Sequence, residues 1–337
     1  MLSSPMTLFF NFYGLRVRVE GPEGLLRQHL MRDFSYFLVP HSGPASLVLK
    51  LYQQPPNYDN LPNLAAAFST PRNLVYRQGD LRILDYFGQG LTVGNRKDGS
   101  FSLYSSDPDL LREMAYLLLL SKAGQHCDGQ GQHRLHALAV SYQGRAVLVL
   151  LPSGGGKTTM ALSLLRRPGF GLVSEDSPLV DRQGRILPFH TCLGVKHGSS
   201  SPPVPDQFLR RVRRMEFDPK TLIDLDYFAD RLERQPLQPG YLLVGQRHLG
   251  HEAAIVPLAR RRAWHALVTN MVIGIGLYQG LEFLLERGSW EVFARLGLLR
   301  SRLYNAWQLL RRTESWQFQL GRDRDRNCDQ LIGFLNR

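Results

Sequence analysis

The chain has 337 residues, 43% of them hydrophobic and 21% charged, with a formal net charge of +12. That length accommodates two domains with cores of their own, and that composition describes an ordinary globular protein. The three cysteines, Cys127, Cys192 and Cys328, are odd in number and far apart; this excludes a disulfide framework and a cysteine metal motif and points to a reducing, cytoplasmic setting. No basic segment leading into an apolar one marks a signal peptide at the first residues.

From about residue 5 to 105 the sequence reads as β-rich. Thr7–Val19 and Ser46–Tyr52 have strand composition, Asn73–Tyr76, Arg82–Tyr86 and Leu91–Val93 are shorter candidates, and Asp98-Gly99 is a hairpin turn signal. Asp107-Pro108 opens a helix predicted to run to about Ser121, with proline at its first position. Gly124–Gln132 is polar and glycine-rich and reads as a linker. The boundary placed there gives a β-rich N-terminal recognition domain over 1–124 and a second domain over 134–337.

The second part opens with strands at Leu135–Tyr142 and Ala146–Leu150, joined at Gln143-Gly144. A loop and helix follow to about Arg167, where Pro168-Gly169 stops the helix. Phe170–Ser174 is a short apolar strand ending in Glu175-Asp176. Val180–Leu187 turns at Gln183-Gly184, Ser199–Pro205 is loop-like, and the chain from about Arg260 onward reads as mostly helical. Ala266–Leu285 is apolar enough to test as a membrane span, but Asn270, Gln279 and Glu282 interrupt it, and the reading is a buried helix. The fold class is thus α/β, or α+β taken overall, with a helical C-terminal part.

Most of the positive excess is arginine, in Arg210–Arg214, Arg260–Arg262 and the span from Arg287 to Arg326. Such arginines form a solvated helix face or a docking surface for an acidic partner. No zinc finger, helix-turn-helix spacing or aromatic RNA motif accompanies them, so nucleic acid is not the expected partner.

The run Leu151-Pro152-Ser153-Gly154-Gly155-Gly156-Lys157-Thr158-Thr159 carries the chemistry. A strand leads into it and a helix out of it, the build of a phosphate-binding loop. Glycines let backbone N–H groups close on phosphate oxygens, and the helix N-terminus adds partial positive charge. The residues from Ser153 to Thr159 are the expected nucleotide-binding set: Lys157 reaches the β- and γ-phosphates and the Thr158 hydroxyl ligates Mg²⁺. The full pattern has glycine where Leu151 stands. Glu175 and Asp176, at the end of the strand after the loop helix, return to the nucleotide as the carboxylates that phosphoryl transfer needs, one for the metal and one for the proton of an attacking hydroxyl. His136 gains interest if its strand packs beside the loop.

Leu135-His136, Gln143-Gly144, Ser153–Thr158 and Leu172–Asp176 together resemble the catalytic domain of HPr kinase/phosphorylase and its HPr-kinase-like relatives. The resemblance covers about Arg134–Lys196. It implies a P-loop kinase fold related to the ATP-dependent phosphoenolpyruvate carboxykinases, and transfer of phosphate from ATP, or in some members pyrophosphate, to a serine hydroxyl of a protein. By the match, Lys157 neutralises phosphates, Thr158 binds Mg²⁺, Glu175 stands at the base position, Asp176 assists the metal and His136 lies near the phosphates. The departures are a glutamate as first acid, Leu151 in the loop, and Leu187–Lys196 in place of the family's glycine-rich signature. That segment looks like the one in short HPr-kinase-like proteins, some of which resemble kinases of ribosomal precursor peptides; His190 or Lys196 would add a phosphate contact. The resulting expectation is an ATP/Mg²⁺-dependent kinase acting on serine of a peptide or protein, with an acidic leader peptide as a candidate partner and assembly into a homo-oligomer. The alternatives are a small-metabolite kinase and a nucleotide-binding switch or scaffold with little catalysis.

Overall fold

The computed structural model describes residues 6–41, 43–152, 154–196, 204–215, 219–273 and 289–337. It is a mixed α/β protein whose described residues fall into two compact units, one formed by 6–126 with 209–222 and the other by 127–208, 223–273 and 289–337.

The first unit contains β1 (Met6–Phe12), β2 (Leu15–Gly21), α1 (Leu25–Asp33), β3 (Leu38–Val39), β4 (Leu47–Tyr52), β5 (Phe68–Ser69), β6 (Leu74–Gln78), β7 (Leu81–Asp85), β8 (Leu91–Asn95) and β9 (Ser100–Tyr104), with most of α2 (Pro108–Gly129). The strands form one nine-stranded sheet in the order β3-β1-β2-β4-β9-β8-β7-β6-β5. Alternate residues of β1 and β2, among them Phe10, Phe12, Val17 and Val19, are fully buried, the period-2 signature of a sheet with one face on a core. Phe12 meets Phe34 edge-on at 5.5 Å, and Phe34 stacks on Tyr116 of α2 at 5.2 Å. Asp33, at the end of α1, is buried between Arg112 at 2.7 Å and Arg210 at 2.9 Å.

Thr7–Val19, expected as one strand, is a hairpin that turns at Tyr13-Gly14. The segment Gly124–Gln132 is not a linker: α2 runs on through it to Gly129, eight residues past the expected end. Ala123 and Cys127 are fully buried on this stretch, so tertiary burial overrides the weak helix propensity of Gly124.

The second unit begins with β10 (His133–Arg134), β11 (Leu138–Tyr142), β12 (Arg145–Leu150), α3 (Lys157–Leu165), β13 (Phe170–Ser174), β14 (Leu179–Val180), β15 (Ile186–Leu187) and β16 (Leu193–Lys196). β17 (Leu209–Val212) and all but the last residue of β18 (Lys220–Ile223) belong to the first unit; the second unit resumes with β19 (Gln238–Arg247), β20 (Ala254–Pro257), α4 (Arg260–Leu267), a π-helical turn at Val268–Ile273, α5 (Ser289–Arg312), β21 (Glu314–Leu320) and α6 (Arg324–Leu335). Its main sheet has six strands in the order β13-β11-β12-β19-β21-β20. β12 lies inside it, antiparallel to β11 and parallel to β19. All of β12 after Arg145 is buried, as its uninterrupted apolar run demands. Gln143 and Gly144, both at positive φ, close the tight β11–β12 hairpin.

One face of this sheet, carrying Ala146, Leu148, Leu150 and Leu242, packs on Ala263, Leu267 and Met271 of α4 and its π extension and on Ala306, Leu309 and Leu310 of α5. The other face carries α3 and α6, with Phe334 of α6 edge-on to Tyr241 and Trp316. Each leucine buried in these layers contributes roughly 1.5–3 kcal/mol. The described part of the chain from Arg260 onward is mostly helical, as expected, with one exception: β21 enters the main sheet beside β19, and Trp316, Phe318 and Leu320 give it strand alternation.

α5 is also held by polar ties. His133 is fully buried, with Nδ1 at 2.8 Å from Asp128 and Nε2 at 2.7 Å from Ser301 of α5, while Arg302 donates to the same aspartate at 2.8 Å. Asn305 donates to the carbonyls of Gly131 and Val180. Among the described residues no helix is long and apolar enough to cross a membrane. The segments Ser199–Pro205 and Ala266–Leu285 lie partly outside the described residues.

Candidate phosphate-binding site

The site is assembled where β12 ends, α3 begins and β13 returns. Ser153 lies outside the described residues; the rest of the loop is in place. Gly155 N–H donates to the Pro152 carbonyl at 2.9 Å, a tight turn that reverses the chain after the strand. Gly156 then takes φ +100°, a conformation that strains any residue with a Cβ, and α3 starts directly after it. No side chain caps α3, so its first N–H groups face the loop unsatisfied by any cap, the condition that suits an anion.

Leu151 stands where the loop pattern has glycine, and the packing accounts for it. Its side chain is buried against Gly245 of β19, where a Cβ would come within 2.3 Å of Leu151 Cδ2. The missing side chain on the neighbouring strand makes room for the leucine in the loop.

Lys157 opens α3 and folds back under the loop. It is only 6% exposed, and its Nζ donates to the Leu151 carbonyl at 3.0 Å. The same ammonium lies 2.9 Å from His136 Nε2 and 3.4 Å from Asp176 Oδ1. Because Lys157 can only donate, His136 Nε2 accepts, which places the imidazole proton on Nδ1, 3.3 Å from Asp176 Oδ1. Burial lowers the His136 pKa below its usual range; Asp176 opposes that shift and Lys157 adds to it. The ring is therefore neutral near pH 7, wedged between a cation and an anion.

His136 was expected on a strand, but β11 begins only at Leu138. The residues before it are pulled off the sheet by other partners. Leu135 N–H donates to the Pro178 carbonyl, His136 N–H to the Asn270 carbonyl at 3.0 Å, and Ala137 N–H to the Asp176 carbonyl. Asn270 belongs to the π-helical turn after α4, a distortion that recurs at functional sites.

The two acids take different partners. The Thr158 hydroxyl donates to Glu175 and also lies 3.3 Å from the Gly194 carbonyl. Asp176 faces Lys157 and His136. Thr159 lines a shallow pocket with Gly156, Met160, Arg247 and Asn327, on the side of the loop toward α6. Gly154, at positive φ, completes the loop.

The sequence reading missed Arg247. This last residue of β19 donates from both Nε, at 3.1 Å, and Nη2, at 2.9 Å, to the Gly155 carbonyl, so a guanidinium sits on the rim of the loop. One arginine among many at a strand end carries no signal in sequence. His190 is buried, and its Nε2–H donates to the Glu233 carbonyl at 2.8 Å. Burial pushes its pKa down to about 4. That nitrogen serves the main chain rather than a ligand. Lys196 ends β16.

Thr158, Glu175 and Gly194 offer three oxygens on three segments, a donor set that fits a hard divalent cation such as Mg²⁺. Among the described residues no group of three or more His, Cys, Asp or Glu side chains forms a metal cage. Mg²⁺ sites that rely on one or two protein oxygens, with phosphate and water completing the shell, need none. No protein-family model matches the chain, and no curated protein matches it.

Proposed function

We propose that the chain is an HPr-kinase-like, ATP- and Mg²⁺-dependent kinase that phosphorylates a hydroxyl, with serine of a peptide or protein as the acceptor. The observation that carries this reading is the convergence of Lys157, His136 and Asp176 at the uncapped N-terminus of α3. Phosphoryl transfer asks for positioning and charge neutralisation more than for covalent chemistry, and these groups supply both.

Lys157 turns from the Leu151 carbonyl to the β- and γ-phosphate oxygens, and the first N–H groups of α3 hold the same oxygens. Thr158 and Glu175 would hold Mg²⁺, whose charge would offset that of the phosphates. The acceptor oxygen attacks the γ-phosphorus, its proton passes to the Asp176 carboxylate, and the bond to the β–γ bridging oxygen breaks to release ADP. His136, neutral and with Nδ1 3.3 Å from Asp176 Oδ1, sits between that carboxylate and Lys157. This division of labour puts the proton on Asp176 and the metal beside Glu175, because Glu175 is the acid whose longer side chain meets Thr158. Arg247, already on the loop rim, faces the phosphate side of the nucleotide.

The test is transfer of label from γ-labelled ATP with Mg²⁺ to serine-containing peptides and to small hydroxylated metabolites. Label on a peptide with the wild type, lost in Asp176→Asn and retained in part by Glu175→Asp, supports the assignment. Label confined to metabolites, or absent throughout, overturns it.

A further inference from the structure

α5 is built with two faces. Asn305, Ala306, Leu309 and Leu310 point into the unit and are buried. At 100° per residue, Leu296, Arg300, Leu303, Tyr304, Trp307 and Arg311 lie within one stripe about 100° wide on the opposite side. An ordinary helix is polar there, whereas this one exposes Leu296 (55%), Tyr304 (48%) and Trp307 (41%). Three of the eleven large hydrophobic side chains exposed among the described residues therefore lie on this one stripe. Scattered apolar residues need no explanation, but a contiguous set does.

The stripe is ordered before anything binds. Tyr304 and Trp307 lie 6.0 Å apart, Gln308 donates to the Tyr304 hydroxyl at 2.7 Å, and the Arg311 guanidinium lies 4.5 Å over the Trp307 ring. Pre-set aromatic side chains lose little entropy on binding, and Trp, Tyr and Arg are the residues in which interface energy concentrates. Its charge is of one sign. From Leu296 to Arg312 the helix has four arginines and no acid. Arg302 is used by Asp128, which leaves Arg300, Arg311 and Arg312 exposed. α4, packed on α5 in the same layer, adds exposed Arg260, Arg261 and Arg262 and no acid.

We propose that this outer face of α5 docks an acidic, amphipathic segment of a peptide or protein partner. Its apolar side would cover Trp307 and Leu296, and its carboxylates would meet Arg300 and Arg311, roughly 16 Å apart along the helix. Charge rules out a symmetric copy of the same stripe, which would set arginine against arginine with no acid between. A lipid surface is disfavoured because the arginines lie inside the apolar stripe, whereas a helix at a membrane interface keeps its charges on the opposite face. The inference extends the acceptor side of the kinase reading, yet it rests on α5 alone and is tested without nucleotide, so either can fail separately.

The experiment is fluorescence anisotropy on the full chain with a fluorescein-labelled helical peptide of about 18 residues, enough to cover the stripe at 1.5 Å per residue, with leucines on one face and glutamates flanking them. The wild type is expected to bind it and to ignore the same peptide with lysine in place of glutamate. Trp307→Ala, and Arg300→Glu with Arg311→Glu, are expected to weaken binding about tenfold or more with the far-UV circular dichroism unchanged. Absence of wild-type binding, equal binding by the variants, or pelleting with phosphatidylserine vesicles in place of peptide binding overturns the proposal.

Discussion

His190 separates a buried structural histidine from a phosphate contact through its response to pH. Its ring is 1% exposed and its pKa is held at about 4, against the usual 6.5. As pH falls through 6.5 the unfolded chain takes up a proton that the folded chain refuses until about 4. The unfolded state thus binds more protons in that window, and stability falls as the pH drops. The full effect is about 3 kcal/mol, of which about 2 kcal/mol is lost on going from about pH 8 to about pH 5. His136, shifted in the same direction, adds to the loss. The Asp128 carboxyl, whose pKa is lowered, contributes only below its usual 3.8. His190→Gln removes the titrating group and keeps a donor for the Glu233 carbonyl. Urea unfolding of wild type and variant at both pH values isolates the term. The wild type should lose about 2 kcal/mol more than His190→Gln. Equal losses, within about 0.5 kcal/mol, would mean that His190 titrates like an exposed histidine and that its burial is misjudged.

Two substitutions test the packing that shapes the site. Gly245→Ala drives a methyl into Leu151 and should cost about 1–3 kcal/mol and weaken nucleotide binding, and adding Leu151→Ala should restore part of both, read by urea unfolding and by titration with ATP. Asn305→Ala leaves the carbonyls of Gly131 and Val180 without their side-chain donor and should cost about 2–3 kcal/mol in urea, a loss that an exposed α5 residue such as Gln308 would not reproduce.

The local build of the site was legible because its signals are local. The apolar run before Leu151, the glycines, Lys157-Thr158 and the strand ending just before Glu175 each sit within a few residues of the structure they specify. The Gln143-Gly144 hairpin is likewise a two-residue signal. What escaped was set by distant partners. His136 leaves the strand because its N–H goes to Asn270 and its ring to Lys157 and Asp176. α2 continues through a glycine-rich stretch because Cys127 is buried there. β21 follows a long helix and pairs with β19, more than sixty residues earlier; its alternating Trp316, Phe318 and Leu320 were a local clue, but the pairing was not. α1 lacks a capping side chain, so no start signal announced it. The outer stripe of α5 was visible only as scattered arginines until burial showed which side of the helix faces solvent.

The central claim is that Lys157, at the foot of α3, binds a phosphate chain. The most direct measurement is calorimetric titration of ATP with Mg²⁺ into the 337-residue wild type and Lys157→Ala, with circular dichroism to show that both are folded. A buried, charge-assisted contact of up to about 3 kcal/mol predicts that the variant binds about a hundredfold more weakly. Equal affinity in the two proteins, or no binding by the wild type, would contradict the account.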